Sequence, residues 1–282
     1  MMNLTFDFKA DDIIEDGKCK RKDIEEIKTW LVSNSLPNAT DEQIVLFLLA
    51  CDSNVEYAKT TIKSYYYYMY HGKNITNNRN INSKEMLEQA KIVESVVIPR
   101  RTKDNYMVIF QRLSDFSHWN FNLEPSIKLL FMTLELGLMA NPPPDGLVAV
   151  FDMTGVSIMH LTKLRIGPLK LLFHVLQEAL PCQVRAIHVL NSAYFVDKLI
   201  AIFKPLMKKD LYQKLHFHQS NIDMDVFFEN CVEADCIPAD YGGKLPSVRA
   251  MSEATLENMK RRSEWYVIEE SLRKNYKPTS NS

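Results

Sequence analysis

Glycine is scarce in this chain, with only 8 among its 282 residues. The sequence contains no GxGxxG and no GxxxxGKS/T segment, the two glycine-rich patterns that cradle phosphates in dinucleotide- and nucleoside-triphosphate-binding proteins. It also lacks the GxSxG turn that presents the nucleophile of an α/β-hydrolase. These absences exclude common classes of nucleotide-dependent and hydrolytic enzymes, and we therefore expect a binding protein that is not an enzyme.

Long apolar runs are also missing. The most strongly apolar segments, IVLFLLAC and LIAIF, are far shorter than the roughly 20 residues that a membrane span requires. The first residues, MMNLTFDFKADDIIEDGK, are acidic and contain no apolar run of the kind found in a secretory signal peptide. We therefore expect a cytoplasmic protein.

Neither sign of charge dominates, because 34 Lys and Arg residues nearly balance 35 Asp and Glu residues. This balance argues against a generally basic nucleic-acid-binding protein. The cysteines at positions 19, 51, 182, 231 and 236 form no disulfide framework and indicate reduced thiols. Cys231 and Cys236 have no second cysteine pair to complete a tetrahedral zinc site, so we expect no metal and no cofactor.

The first part of the chain, residues 1–95, is expected to form an all-helical domain. Apolar side chains recur at helical spacing in Ile24, Ile27, Trp30 and Leu31. Thr40 followed by Gln43 is the capping-box pattern that begins a helix. Asn54 is expected to begin the next helix, which ends at Gly72.

The next part, residues 96–252, alternates between short strands and longer helices. Apolar runs bounded by turn residues predict buried strands at 105–113, 145–155 and 184–191. Helical stretches follow each of them, at 125–140, 163–180 and 194–215. This alternation predicts an α/β domain with a mostly parallel sheet covered by helices. Residues 253–282 are expected to add a C-terminal helix and tail.

One predicted helix, from Val196 to Leu211, separates apolar from basic side chains. At about 100° per residue its apolar arc contains Val196, Leu199, Ile200, Phe203, Leu206, Met207 and Leu211. The opposite side carries Lys198, Lys204, Lys208 and Lys209, and Pro205 predicts a kink. Two interpretations are open: a surface helix with solvated lysines, or a helix that leaves the protein core and rests on an anionic membrane.

Few polar side chains stand where chemistry is expected. Asp152 ends a predicted strand, at the edge where α/β proteins bind ligands, although it could equally cap the following turn. His188 lies within an apolar strand, as a core imidazole does. His216 and His218 are two residues apart and could face one side. An α/β enzyme that uses Asp152 with a nearby histidine is one alternative to a binding protein.

Three segments carry a family resemblance: DGLVAVFDMTG, IHVLNSAYFVDKLIAIFKPLMKKDLYQKLHFH and IPADYGGKLPS. Their order resembles the CRAL-TRIO lipid-binding family, and in particular its tocopherol- and retinaldehyde-binding group. The matching positions are Phe151, Asp152, Gly155, Asn191, Lys204, Pro205, Leu206, Pro238, Tyr241, Gly242 and Gly243. The resemblance implies an apolar pocket between a sheet floor and covering helices, closed by the amphipathic helix as a mobile gate.

The resemblance also implies which residues line the pocket. By matching positions, the lining consists of apolar side chains and one hydroxyl. They come from the helix before the sheet, from two strands and the helix between them, and from the gate. These residues are Leu129, Met132, Thr133, Leu147, Phe151, Met153, Leu172, Val175, Leu176, Leu180, Val184, Ile187, Val189, Leu199, Ile200, Phe203 and Met207. The polar candidates Thr133, Asp152 and His188 are few, so at most one hydroxyl or carbonyl contact to the ligand is expected.

A second implied site contacts membranes. Arg185 and Lys214 match basic positions that bind a phosphoinositide headgroup in the tocopherol and retinaldehyde group, and Lys204, Lys208 and Lys209 can add attraction to anionic lipid. The remaining headgroup positions carry Gln183, Asp210, Leu46, Leu49 and Cys51. Because a multivalent phosphate needs several close cations, we expect little phosphoinositide selectivity.

The function implied by the resemblance is that of a monomeric carrier. It would bind a small isoprenoid-like lipid, such as a retinoid, a tocopherol or a carotenoid, and exchange it at the surface of anionic membranes. The alternative is an interaction module of the same fold that recruits membranes or protein partners and transfers nothing.

Overall fold

The structure is a computed structural model that describes residues 4–192 and 195–278. Its helices are α1 (Ala10–Glu15), α2 (Arg21–Ser33), α3 (Asp41–Ala50), α4 (Val55–His71), α5 (Lys73–Thr76), α6 (Lys84–Ile92), α7 (Leu123–Leu138), α8 (Ile158–Leu161), α9 (Ile166–His174), α10 (Val196–Phe203), α11 (Lys209–Tyr212), α12 (Met224–Asn230), α13 (Val248–Arg261) and α14 (Ser263–Arg273). Its strands are β1 (Val93–Val97), β2 (Tyr106–Leu113), β3 (Gly146–Asp152), β4 (Val184–Leu190) and β5 (Leu215–Phe217).

The helical N-terminal part forms as its local signals predict. Thr40 and Gln43 make the reciprocal capping box that begins α3, with backbone-to-side-chain distances of 3.0 and 3.3 Å. The Asn54 side chain accepts a hydrogen bond from the backbone N–H of Tyr57 and begins α4, which is followed by Gly72. These caps satisfy backbone donors that a helix cannot pair internally.

The sheet has its strands in the order β1-β2-β3-β4-β5. β1 pairs with β2 in antiparallel fashion, whereas β2, β3, β4 and β5 pair in parallel. The predicted α/β class, with a mostly parallel sheet, is confirmed. β1 and β5 were not predicted, because VESVV and LHF are too short and too mixed in polarity to stand out from their surroundings.

Side chains of the sheet alternate between two buried layers. On one face, Met107, Ile109 and Ala149 pack with the N-terminal helices and with side chains of α7 and α9; we call this the cavity face. On the other, Phe110 and Val150 pack with side chains of α12 and α13; we call this the far face. Burial on both faces explains why the strands read as nearly continuous apolar runs.

Two predicted helices are interrupted. The amphipathic helix predicted to reach Leu211 ends at Phe203, continues as a single 3₁₀ turn at Lys204–Leu206 and becomes extended at Met207. Pro205 explains the break, since it has no backbone N–H and its ring obstructs the preceding turn. The single helix predicted from residue 253 begins earlier, at Val248, and divides into α13 and α14 at Arg262.

The proposed domain limits cross regular elements. The limit between residues 95 and 96 falls within β1, and the limit at residue 253 falls within α13. α14 returns to the first half of the chain, where the buried carboxylate of Glu269 pairs with Arg79 and Tyr266 donates to the carbonyl oxygen of Met132 at 2.9 Å. The three domains and the two limits between them therefore stay predictions.

Candidate functional site

A cavity of about 240 Å³ lies on the cavity face, beyond the part of the sheet that the N-terminal helices cover. Its floor is a row of side chains in register across four strands: Gln111 of β2, Phe151 of β3, Val189 of β4 and Phe217 of β5. A second pair, Ile187 and Leu215, extends the floor. All but Gln111 are apolar, so the floor offers a hydrophobic ligand a continuous surface.

Three helical segments form the walls. α7 contributes Leu123, Ile127 and Leu130, which share one face at helical spacing. α9 and the single π-helical turn after it, Val175–Ala179, contribute Leu169, Leu172, Phe173 and Leu176. The segment Val196–Met207, which we call the gate, contributes Leu199, Phe203 and Met207. Leu and Met side chains adapt to irregular shapes and suit the wall of a ligand pocket.

The gate covers the cavity through a few apolar contacts. Leu199 is buried, and the ring of Phe203 meets Phe173 edge-to-face with 5.2 Å between centroids. Lys198, Ala201 and Lys204 are exposed on the outer side. The gate is therefore amphipathic over α10, as predicted, although its register is lost after Pro205.

The polar side chains of the cavity wall include Gln111 of β2, Asp152 of β3 and His160 of α8. The Nδ1 atom of His160 accepts a hydrogen bond from the backbone N–H of Ser157 at 3.0 Å, which leaves the proton of the neutral ring on Nε2. That Nε2 atom and the amide nitrogen of Gln111 are both buried, and neither has a hydrogen-bond partner among the described residues. The N–H groups of His160 and Gln111 could therefore each donate a hydrogen bond to a ligand oxygen.

Asp152 also lines the cavity, but its carboxylate is already hydrogen-bonded within the protein. Its carboxylate accepts from the backbone and hydroxyl of Thr154 at 3.0 and 2.8 Å, from Asn191 at 2.7 Å and from the hydroxyl of Tyr241. Its role in this arrangement is structural: it joins the end of β3, the end of β4 and the segment before α13.

The structure places part of the predicted lining at the cavity. The residues that reach its wall are Phe151, Met153, Leu172, Leu176, Ile187, Val189, Leu199, Phe203 and Met207. Their contact with a ligand stays a prediction.

The remaining predicted lining lies elsewhere. Leu147 and Val184 pack in the core nearer the amino ends of their strands, and Leu129 and Met132 pack on the side of α7 that faces α14. Thr133 shares a hydrogen bond with Ser95 at 2.9 Å. Val175 and Leu180 line a separate cavity of about 60 Å³, and Ile200 lies on the gate outside the larger cavity's wall.

Sequence reasoning missed Gln111 and His160. The signal for Gln111 was available, because it continues the alternation of Met107 and Ile109 on the cavity face. His160 lies in a four-residue helix after β3, a segment without periodicity. His188, a predicted polar candidate, points to the far face and lies near Phe227.

A protein-family model described as "CRAL/TRIO domain" matches residues 93–243, from β1 to the segment before α13. The chain belongs to this family.

Relatives in the family are distant. Clavesin-1 of Xenopus laevis is 26% identical over 102 residues, which cover 36% of this chain and 30% of that protein. "Alpha-tocopherol transfer protein-like" of Homo sapiens is 27% identical over 127 residues, or 44% of this chain and 36% of that protein. The chain thus spans well under half the length of these relatives.

Among solved structures, that of Sfh5 is similar in fold. It superposes with a TM-score of 0.54 at 11% sequence identity, covering 94% of this chain and 100% of the other. This likeness extends the shared fold beyond the CRAL/TRIO match to the helical N-terminal part.

The predicted basic residues occupy two places. Arg185 is exposed, stacks on the Tyr106 ring and donates to the carbonyl oxygen of Asp145 at 3.1 Å. In the segment that follows α10, Lys204 lies 5.4 Å from the centre of the Tyr212 ring, and Lys208 forms an ion pair with a carboxylate of the π-helical turn at 2.8 Å. Lys209 is exposed and Lys214 is half-buried.

The described helices include none that is both long and apolar enough to cross a bilayer.

The protonation state of His160 can be tested directly. Burial, followed by the nearby His118, lowers the pKa of His160 below its ordinary value of 6.5. We therefore expect the neutral form of the ring, with its proton on Nε2, to predominate at pH 6.5. Long-range ¹H–¹⁵N NMR spectra of the histidine rings should identify this tautomer, and a ring that is half protonated at pH 6.5 would contradict the assignment.

Proposed function

We propose that the chain binds a small hydrophobic lipid with one oxygen-bearing end and exchanges it at the surface of anionic membranes. The observation that carries the proposal is the apolar cavity whose wall includes two donors, Gln111 and His160, that have no hydrogen-bond partner among the described residues. An isoprenoid alcohol, aldehyde or acid has this combination of a long apolar body and a terminal acceptor. Retinoids, tocopherols and hydroxylated carotenoids are the ligand classes that we infer.

The apolar part of such a ligand supplies most of the affinity. Transfer of apolar surface from water contributes about 25 cal/mol per Å². The cavity of about 240 Å³ exceeds the roughly 150 Å³ that is enough to admit benzene, and it approaches the lower end of drug-sized pockets at about 300 Å³. Displacement of Phe203 and Met207 with the gate would enlarge it.

The polar end selects against bulkier lipids. A phospholipid headgroup carries a charged phosphate and needs several cations or donors. Among the described residues of the cavity wall, Arg112 is the cationic side chain, and its guanidinium is paired with Glu94 at 2.6 Å and with Asp240 at 3.3 Å. A single neutral or carboxylate oxygen fits the free donors better.

The gate provides the route of exchange. Its inner side is held by few buried residues, and a bilayer would accept the apolar surface that its opening exposes at the level of the acyl chains. Lys204, Lys208 and Lys209 would hold the outer side against anionic headgroups. We infer a cytoplasmic carrier that contacts membranes transiently.

Filling the cavity should abolish lipid uptake. Val189→Trp places a large ring on the floor, and Leu172→Trp does so from the wall. After incubation with vesicles that contain retinol, α-tocopherol and β-cryptoxanthin, extraction and mass spectrometry should recover about one lipid per wild-type chain and at least about tenfold less from either variant.

The matched control is Ile166→Trp, because Ile166 also belongs to the α9 layer but is 55% exposed. It should retain uptake, and circular dichroism checks the folding of each variant. If the wild type took up none of these lipids, the carrier function would be rejected in favour of the interaction module.

Removal of one donor should change which ligand is preferred. Gln111→Leu deletes the amide while it keeps a similar volume. Because one hydrogen bond contributes about 0.5–1.5 kcal/mol, the preference for an isoprenoid alcohol over the matching hydrocarbon should fall about 2- to 12-fold. Competition binding with the two ligands measures this ratio. An unchanged ratio would place the oxygen away from Gln111.

Membrane binding should depend on general charge. Lys208→Gln combined with Lys209→Gln should weaken binding to phosphatidylserine vesicles about tenfold or more, since each lysine near the surface contributes about 1 kcal/mol. The control is the exposed pair Lys22→Gln and Lys91→Gln, which lies on other helices. Sedimentation with vesicles at two salt concentrations measures both the binding and its screening.

The same assay tests phosphoinositide selectivity. Gln183, at a predicted headgroup position, donates to the Ala50 carbonyl and to Asp52 at 3.0 Å each, and Arg185 is held beside Asp145. Nearby carboxylates oppose a multivalent phosphate, so vesicles with a bisphosphorylated inositide should bind no better than phosphatidylserine vesicles of equal charge. A strong preference for the inositide would contradict this prediction.

A further inference from the structure

A cluster of three potential metal ligands lies on the far face of the sheet, separate from the cavity. It consists of His188, His218 and Cys231, whose nearest ring nitrogens and sulfur all lie within 4.8 Å of one another. His188 is in the middle of β4, where its neighbours Ile187 and Val189 point to the opposite, cavity face. The proposed lipid function does not use these three side chains.

Each ligand is positioned by fixed backbone. The N–H of His218 donates to the carbonyl oxygen of Val189 at 2.8 Å, which continues the pairing of β4 and β5 by one residue. Cys231 directly follows α12, and its N–H donates to the carbonyl oxygen of Phe227 at 2.9 Å. The ring of Phe227 stands edge-on to both imidazoles, with centroid distances of 5.3 and 5.2 Å.

The spacing of the ligand atoms suits a tetrahedral ion. The Nδ1 atom of His188 and the Nε2 atom of His218 are 3.0 Å apart. With metal–nitrogen bonds of about 2.0–2.1 Å and a metal–sulfur bond of about 2.3 Å, tetrahedral ligand atoms are about 3.4–3.6 Å apart. Rotation of the rings and of the Cys231 side chain would have to bring the three ligand atoms, which already lie within 4.8 Å of one another, to these distances.

A metal ion binds an imidazole in its neutral form and a cysteine as the thiolate, so ion binding at this cluster would release the proton of Cys231.

We propose that His188, His218 and Cys231 bind one Zn²⁺ or Cu⁺ ion, with the fourth position open to solvent or a further ligand. Two imidazoles and a thiolate are the donors that these borderline and soft cations prefer over Mg²⁺ or Ca²⁺. The ion would join β4, β5 and α12. The gate lies in the chain between β4 and β5. An ion bound to His188 and His218 would therefore hold together the two strands that precede and follow the gate.

This cluster differs from the zinc pattern sought in the sequence, which required cysteine pairs. The ligands come from positions 188, 218 and 231, on a strand, a loop and a helix end. Their separation along the chain leaves no short motif. Cys236, the other member of the sequence pair, instead has its sulfur 3.3 Å from the carbonyl oxygen of Arg101.

The test is titration of the purified full chain with Co²⁺, which reports tetrahedral thiolate coordination by visible and near-ultraviolet absorption, followed by displacement with Zn²⁺. We expect about one ion per chain. Cys231→Ser and His218→Asn should each weaken binding by more than the 10- to 100-fold that loss of an outer-shell partner costs. Cys236→Ser and His216→Asn, which change a buried thiol and a neighbouring imidazole outside the cluster, should bind as the wild type does.

A measurement on the wild type covers the case in which a variant fails to fold. Zn²⁺ or Cu⁺ should slow alkylation of the half-buried Cys231 by N-ethylmaleimide, quantified by peptide mass spectrometry, and should raise the melting temperature. Absence of ion binding by the wild type at micromolar concentrations, unchanged binding in Cys231→Ser, or ion binding without protection of Cys231 would overturn the proposal.

Discussion

The carboxylate of Asp152 is the contact on which the architecture of the site depends. It is 5% exposed and accepts hydrogen bonds from three separate segments, through Thr154, Asn191 and Tyr241. Two of these donors, with Asp152 itself, belong to the short patterns that resemble the CRAL-TRIO family. These patterns are distant in sequence, but the fold brings them together at Asp152. A buried carboxylate needs hydrogen-bond donors, and the patterns supply them.

The glycines near this point serve the same arrangement. Gly155 has a φ of +78°, and a Cβ atom there would lie 2.1 Å from the Phe116 ring. Gly243 approaches the carbonyl oxygen of Ile237 so closely that a Cβ atom would lie 2.0 Å from it. These two glycines allow the connections around Asp152 to pack tightly. They thereby help to fix the end of the sheet that contributes Phe151 and Asp152 to the cavity wall.

The sequence was sufficient for the architecture and for part of the site. Periodicity and caps located the main helices and the three central strands, because burial on both faces leaves a plain apolar signal. It could not say which face of α7 meets the cavity: Leu129 and Met132 are as apolar as Ile127 and Leu130, and a rotation of about 100° exchanges them. Nor could it locate His160, whose position depends on tertiary packing of a short helix.

The same limit explains the difference between a cavity and a core. The cavity face is filled where the N-terminal helices cover Met107 and Leu147, and it is left open two rows further along each strand, at Gln111 and Phe151. In β3 both rows carry large apolar side chains, Leu147 and Phe151, so that strand does not announce the change from core to cavity. What changes is the covering layer, which passes from rigid helices to the gate, a segment interrupted by Pro205 and held by few buried side chains.

Gln111 and His160 are buried donors without partners in the part of the chain that the structure describes. Each carries a free-energy cost of about 1–3 kcal/mol, and a protein that merely needed a packed core would lose stability by retaining them. Apolar residues at positions 111 and 160 would remove that cost. Gln111 and His160 are understandable if the oxygen of a bound ligand accepts hydrogen bonds from them. The free-energy cost of the unpaired donors then applies chiefly to the protein without ligand. A hydrocarbon would bury the same apolar surface but leave both donors unsatisfied, so the polar end contributes discrimination between ligands while the apolar wall contributes affinity.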